Sequence, residues 1–178
     1  IARPAPGAHF DRLNPVQTQV ITRNELNRAA CCNLSESFET NASVDVSYSD
    51  AVTGAKQIQL LGLAGTYSQI QVENIPVLRG LSSTFGLGHV PGSWMESIQI
   101  SKGTASVANG YESISGQINV EYKKPWEDEV FYVNGYANSL GMAEFNTNFS
   151  FEVSPKVSTM VLAHVENMSM EVDHNGDS

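Results

Sequence analysis

The sequence predicts an α+β domain, built on a small mixed β-sheet with short helices, followed by a run of antiparallel β-strands. Three observations predict it. Over residues 16–124, short alternating runs typical of strands are interrupted by brief helix-period segments. After Pro125 the pattern changes to longer alternating segments joined by tight turns. Charged residues make up only 16% of the 178-residue chain, against about 25% in ordinary soluble domains. Ser, Thr, Asn, Gln and Gly fill the deficit, a blend that suits β-structure with one polar, uncharged face.

Residues 1–15 hold three Pro and one Gly with little periodicity, which predicts an extended, mobile lead-in. Val16–Thr22 alternates and reads as a strand. Thr22 and Glu25 have capping-box spacing, so a helix is expected from Arg23 through Ala29–Cys32. A second short helix follows in "NLSESFET", with Leu34 and Phe38 on its buried face. Strands are expected at Ser43–Ser49, Lys56–Leu63 and Tyr67–Val77, the last ended by Pro76, which has no N–H for the ladder. Residues 78–94 read as a long loop, a length that usually marks function, with one helical turn from Trp94 to Ser97. The stretch "ESIQISKGTASVANGYESISGQINVEYKK" closes the domain as two strands around a small-residue patch.

Residues 125–178 follow a different grammar. Phe131, Val133 and Ala137 share one face of the first strand, with Tyr132, Asn134, Tyr136 and Asn138 on the other. In the second strand Phe145, Thr147, Phe149, Phe151 and Val153 oppose Glu144, Asn146, Asn148, Ser150 and Glu152. In the third, Val157, Val161, Ala163 and Val165 oppose Ser158, His164 and Glu166. Two readings stay open on this pattern. Strands of about 10 residues with one apolar and one amide-rich face suit a transmembrane β-barrel. A soluble meander with one buried face has the same period, and would make the chain a protein-binding module. The direction in which the apolar face points separates them.

Net charge is −9, which argues against nucleic acid, a partner that requires a basic face. No apolar run approaches a membrane-spanning helix. Cys31 and Cys32 are adjacent and without a third cysteine; they read as small buried residues rather than a disulfide framework. The four histidines are scattered, and no nucleophile set, phosphate loop or CxxC motif points to an enzyme or a cofactor. The chain opens at Ile1 without Met, as a processed product or fragment would.

Four stretches, in order, carry a family resemblance that covers about residues 15–170. "QTQVITRNEL" is similar to an opening strand and helix, and "NLSESFETNASVDV" to a helix leading into a strand, with Asn41-Ala42-Ser43-Val44 in place of a Pro-Gly-Val pattern. "IQVENIPVLRG" resembles a "V.VDGIP" strand and turn, with Glu73-Asn74 for Asp-Gly. The stretch from Glu96 to Lys124 resembles an "IE.VEV.RGP.S.LYG..A.GG.INI.TK" run, with Lys102-Gly103 for Arg-Gly. One departure is Leu61 before Gly62 in "QIQLLGL", where the pattern has Arg. Together they resemble the TonB-dependent outer-membrane receptors of Gram-negative bacteria, and the strands look unlike those of the sugar-importing branch.

The resemblance implies that residues 16–124 are a plug and residues 125–178 the first three strands of a barrel of about 22. It places the chain in the bacterial outer membrane, the plug in the barrel lumen with its N-terminus periplasmic. It further implies outer-membrane lipid and a TonB-type energy-coupling protein as partners. Its cargo would be a siderophore, a cobalamin-like compound, haem or a metal chelate. No coupling segment is identifiable in residues 1–15. Gly103, Gly110 and Gly116 then allow tight turns in a plug that rearranges, and Trp126 is an interfacial aromatic. Loops 49–56 and 79–94 become the outward apices, with Tyr48, Arg79, Phe85, His89 and Trp94 as candidate ligand contacts. Met160, His164, Met168, Met170 and His174 form a second, metal-ligating candidate set of soft and borderline donors. Asp173, Asn175 and Asp177 have the opening spacing of a calcium loop without its closing acid. Three strands cannot close a barrel, so dimerisation or strand exchange through residues 130–167 is expected of a fragment.

Overall fold

The structure is a computed structural model and describes residues 7–11, 17–28, 33–38, 41, 44–48, 56–79, 82–104, 110, 112–126, 130–139 and 141–168. The chain divides into two compact units, Ile1–Tyr122 and Lys123–Ser178.

In the first unit the strands are β1 (Ala8–Asp11), β2 (Thr18–Thr22), β3 (Asp45–Tyr48), β4 (Lys56–Gln59), β5 (Ser68–Val72), β6 (Ile75–Val77), β7 (Met95–Lys102) and β8 (Gly116–Tyr122). The helices are α1 (Arg23–Arg28) and α2 (Ser82–Phe85). Six strands form one sheet in the order β1-β2-β7-β8-β5-β6, while β3 and β4 pair separately. β5 and β8 run parallel and the other neighbours antiparallel, so the sheet is mixed as expected.

Alternation in the strands becomes two sharply different faces. Register places Ile21 beside Ile98 and Ile98 beside Val120, and Ile100 beside Ile118 and Ile118 beside Ile70. These six side chains are buried, and Leu26, Leu34, Phe38 and Met95 belong to the same core. Each such aliphatic side chain contributes about 1.5–3 kcal/mol by leaving water. The opposite face carries Thr18, Ser101, Gln117 and Gln69 in one row, and Gln99, Asn119 and Gln71 in the next. Thr18 and Ser101 share a 2.8 Å hydrogen bond, and Gln117 Nε2 donates to Gln69 Oε1 at 2.9 Å.

Several details differ from the sequence reading. Residues 8–11 are extended as expected of the lead-in, but they also pair with β2. Thr22 donates from both its backbone N–H and its hydroxyl to the Gly7 carbonyl, at 2.8 and 2.7 Å. The second short helix is a single 3-10 turn at Glu36–Phe38, in which Asn33 Oδ1 accepts from the Glu36 N–H and the Ser35 hydroxyl. Residues 29–32, with both cysteines, lie outside the described residues.

The single strand expected over Tyr67–Val77 is a hairpin, because Glu73 and Asn74 both take positive φ, 53° and 62°. Glutamate is a poor residue for that turn, and contacts from β8 hold it. The Glu73 N–H donates to the Val120 carbonyl, the Tyr122 N–H donates to Glu73 Oε1, and the Asn74 N–H donates to Asn119 Oδ1. Pro76 therefore does not end a strand but sits in β6, at the sheet edge, where a missing N–H is tolerated. Within 78–94 the chain forms α2 and 3-10 turns at Gly86–His89 and Gly92–Trp94. The turn expected at Trp94–Ser97 ends one residue into that range, because buried Met95 already begins β7.

The second unit is a three-stranded antiparallel meander of β9 (Phe131–Ala137), β10 (Met142–Ser154) and β11 (Val157–Met168). The face bearing Phe131, Phe145, Phe149, Phe151, Val161 and Val165 is exposed, with Phe149 at 47% and Val165 at 64%. The face bearing Glu144, Asn146, Asn148 and Ser150 is buried, with Asn148 at 1%. A soluble meander buries the first set and exposes the second; this one does the reverse. Among the described residues no helix is long and apolar enough to cross a membrane, which does not bear on strands.

Candidate functional site

One end of the six-stranded sheet gathers the features of a site. There β5 and β8 begin side by side, Ser68 opposite Gly116. A 3-10 turn at Gly65–Tyr67 leads into β5, and its Tyr67 carbonyl accepts from the Ile114 and Ser115 N–H groups and the Ser115 hydroxyl. Ser68 and Ser115 join through their hydroxyls at 2.9 Å. Gly103, at φ 92°, turns the chain out of β7, and its N–H donates to the Ser115 carbonyl. Two strand starts are thus bound into one rim.

A cavity of about 220 Å³ opens at this rim, lined by Thr66, Ser68, Ile70, Leu78, Arg79 and Glu112 among others. Arg79 Nε lies 2.9 Å from Glu112 Oε2. Gly110 makes room for that arrangement. A Cβ there would approach Gln69 Nε2 to 2.5 Å and an Arg79 terminal nitrogen to 3.2 Å, and its φ of +121° is one that side-chain-bearing residues rarely adopt. Leu63, Tyr67 and Ile114 are exposed nearby along the chain. The cavity combines apolar wall, hydroxyls and a guanidinium paired with a carboxylate, which suits an amphipathic group of modest size.

The ligand candidates drawn from the sequence divide. Arg79 lines this cavity. Trp94 lies at the opposite end of the sheet: β7 runs antiparallel to β8, with Met95 opposite Tyr122 and Lys102 opposite Gly116. The length of β8 puts roughly 20 Å between those ends. Trp94 packs edge-on against Tyr122 at 6.1 Å, so it is not a partner of Arg79 in one pocket. The sequence reading joined them because both flank one loop, and it had no means of seeing that the loop runs the length of the sheet. Tyr48 is exposed at the end of β3, with Lys56 Nζ 5.5 Å from its ring centroid. Phe85 ends α2 and His89 ends the 3-10 turn after it; their side chains, and residues 49–55, lie outside the described residues.

The Tyr122 end has its own electrostatics. Burial, and then the nearby Glu73 carboxylate, push the Tyr122 phenol above its ordinary value. Trp94 Nε1 is buried with no hydrogen-bond partner among the described residues.

Of the metal set, only Met160 and His164 have described side chains. His164 Nδ1 is 2.8 Å from Asn146 Oδ1, and the ring lies within 4 Å of Glu144 and Glu166. Met160 stands opposite Ser150. The Met168 side chain, Met170, His174 and the Asp173–Asp177 stretch lie outside the described residues. Among the described residues no group of three or more His, Cys, Asp or Glu could hold a metal ion.

Glu112 and Thr66 escaped the sequence reading. A signal existed for Glu112: it is the only charged residue from Thr104 to Gly116, and Arg79 is the only cation between Lys56 and Lys102. Their pairing depends on the sheet order, which the sequence does not reveal.

Structures of known proteins share this fold. FpvA of Pseudomonas aeruginosa bound to a pyoverdine–iron complex superposes with a TM-score of 0.75 at 18% identity, over 89% of this chain and 21% of that one. FauA of Bordetella pertussis, the alcaligin receptor, gives 0.70 at 16%, over 88% and 27%. FyuA of Yersinia pestis, a ferric yersiniabactin uptake receptor, gives 0.65 at 17%, over 86% and 25%. The likeness at these identities is one of fold, and the chain spans 21% to 27% of the length of these three receptors. No curated protein matches the sequence. The family model described as TonB-dependent Receptor Plug Domain matches residues 11–117. That family consists of outer-membrane transport receptors rather than enzymes. With most of its length matched by that model, the chain belongs to the TonB-dependent receptor plug domain family.

Proposed function

We propose that the chain forms the plug and first three wall strands of an outer-membrane receptor that imports an iron chelate by energy-coupled transport. The observation that carries this reading is the inverted meander. Phe131, Phe145, Phe149 and Val165 lie on an exposed face, while Glu144, Asn146, Asn148 and Ser150 are buried. An exposed apolar sheet is a liability in water and an asset against lipid. The plug family of the first unit supports the same reading. Of the matched receptors, one is bound to a pyoverdine–iron complex, one is an alcaligin receptor and one takes up ferric yersiniabactin, which favours a siderophore over a cobalamin-like or haem cargo.

In this reading the cavity at Arg79 and Glu112 faces the cargo, with Tyr48, Phe85 and His89 as further contacts, and the Tyr122 end faces the periplasm. A TonB-type protein draws on the periplasmic side. The partners are lipid, cargo and coupling protein. The isolated chain exposes β9 and β11 as sheet edges and self-associates through them.

The test is a binding screen on the purified receptor with ferric chelates, cobalamin and haem, repeated with Arg79→Ala. A ferric chelate that binds, and binds at least about tenfold more weakly to the variant, supports both function and site. Absence of binding by any ferric chelate overturns the cargo assignment. Tight binding indifferent to Arg79→Ala moves the cargo site away from this cavity.

A further inference from the structure

The cavity at the Gly116 end is bordered by an ion pair whose members come from different segments. Arg79 follows β6, and Glu112 precedes β8. Their side chains are 50% and 29% exposed. Thr66, Ser68, Ile70 and Leu78 in the lining are uncharged. The local charge is therefore one cation and one anion, each engaged with the other. Solvent screens so open a pair, and two long side chains lose freedom in making it, so it is held weakly. A guanidinium is a planar fork that donates to two oxygens of an anionic ligand as well as to a carboxylate.

We propose that Glu112 sets the charge selectivity of this site by acting as an internal competitor for Arg79. An anionic chelate displaces Glu112 and takes the guanidinium. A neutral chelate cannot do so, and meets a cavity whose cation is already engaged. Gly110 belongs to the same device, since its missing side chain leaves the space that the guanidinium occupies beside Gln69. This rests on the reading of the cavity as the cargo-facing site, and it adds which cargo the site prefers and which residue imposes the preference.

The test uses the purified receptor and two probes, a trianionic ferric tricatecholate and a neutral ferric trihydroxamate, titrated by quenching of intrinsic fluorescence. With Glu112→Gln the tricatecholate binds about tenfold more tightly, while the trihydroxamate changes by less than about twofold. With Arg79→Gln the preference for the tricatecholate disappears. The exchanged pair, Arg79→Glu with Glu112→Arg, keeps a bridge between the segments and guards against loss of folding. If both single variants weaken both chelates equally and the exchanged pair restores them, the bridge is only a brace and the proposal falls. It also falls if the ratio of the two affinities is the same in all variants, although chelate binding as such then stands. If neither chelate binds the unaltered receptor, the iron-chelate reading fails and takes this inference with it.

Discussion

The two units use the same two-residue alternation to opposite ends. In the first, Ile98, Ile100, Ile118 and Val120 turn inward, and the sheet owes its stability to their removal from water. In the second, Phe145, Phe149, Phe151 and Val165 turn outward and the amides of Asn146 and Asn148 are buried. Alternation establishes that a strand has two unlike faces; it does not say which face meets solvent, because that depends on what the solvent is. Both units bury amides, yet they satisfy them differently. Gln69 accepts from Gln117 and Gln71, and Asn119 from the Asn74 N–H. In the second unit Asn146 links Glu144 and His164, while both side-chain atoms of Asn148 and the Ser150 hydroxyl lack a partner among the described residues. Unpaired buried amides are costly, so this face is suited to polar contacts or ordered water rather than to a dry core.

Two substitutions test that contrast most strongly. Ile118→Ala leaves a hole in the first unit and costs about 2–5 kcal/mol whatever surrounds the protein, measured by urea unfolding in detergent. Phe149→Lys costs about 2–4 kcal/mol near the middle of a bilayer and little on a wetted surface. It should lower the amount of receptor assembled in the outer membrane while leaving the unfolding midpoint in water-soluble conditions almost unchanged. Normal assembly of Phe149→Lys would mean that the exposed face does not meet lipid, and the comparison between the units would collapse.

The glycines sharpen the comparison at a smaller scale. A Cβ on Gly116 would come within 2.5 Å of the Ser101 carbonyl oxygen and 2.8 Å of Leu60 Cδ1, so backbone must shift to receive it. Gly116→Ala should cost about 1–3 kcal/mol, read as a lower unfolding midpoint. Gly135, in β9, has nothing within 4 Å of such a Cβ. Gly135→Ala should be neutral or stabilise by up to about 1 kcal/mol, because it removes freedom from the unfolded chain. Equal effects at both positions would show that the first unit is not the more tightly packed of the two.

What the sequence made legible was local. Ile98, Ile100, Ile118 and Val120 announce β7 and β8 by period alone, and the aromatic and amide faces of β10 are plain in "AEFNTNFSFEV". What it hid depended on distant partners. Glu73 by itself is a poor residue for a left-handed turn, and only its place in the family's strand-and-turn pattern signals one; the groups that hold the turn belong to Val120, Asn119 and Tyr122. The β1 pairing depends on Thr22 donating twice to Gly7 across a segment that reads only as Pro-rich. The site was half legible for the same reason. Arg79 was legible through its place on a loop that the family resemblance turns outward, but its partner Glu112 and the separation of Trp94 follow from the parallel pairing of β5 with β8 and the antiparallel run of β7.

The smallest expected effect lies at the Tyr122 end, where the first unit combines a half-buried phenol with a nearby carboxylate. Burial deprives the phenolate of hydration, and Glu73 repels it, so the folded protein holds that proton more tightly than the unfolded chain does. The stability this contributes is therefore fully present below the unfolded tyrosine value of about 10 and is lost as pH rises through the higher folded value. In an absorbance titration near 295 nm, Tyr122→Phe should remove a late-titrating phenol from the curve of the folded protein. Glu73→Gln keeps a carbonyl oxygen for the Tyr122 N–H and removes only the charge, so it should move that phenol back part of the way and no further, burial being the larger cause. A complete return to the ordinary value would make the carboxylate dominant. The Tyr122 end would then be a wet, charged surface rather than the sheltered extension of the core that its contact with Trp94 indicates.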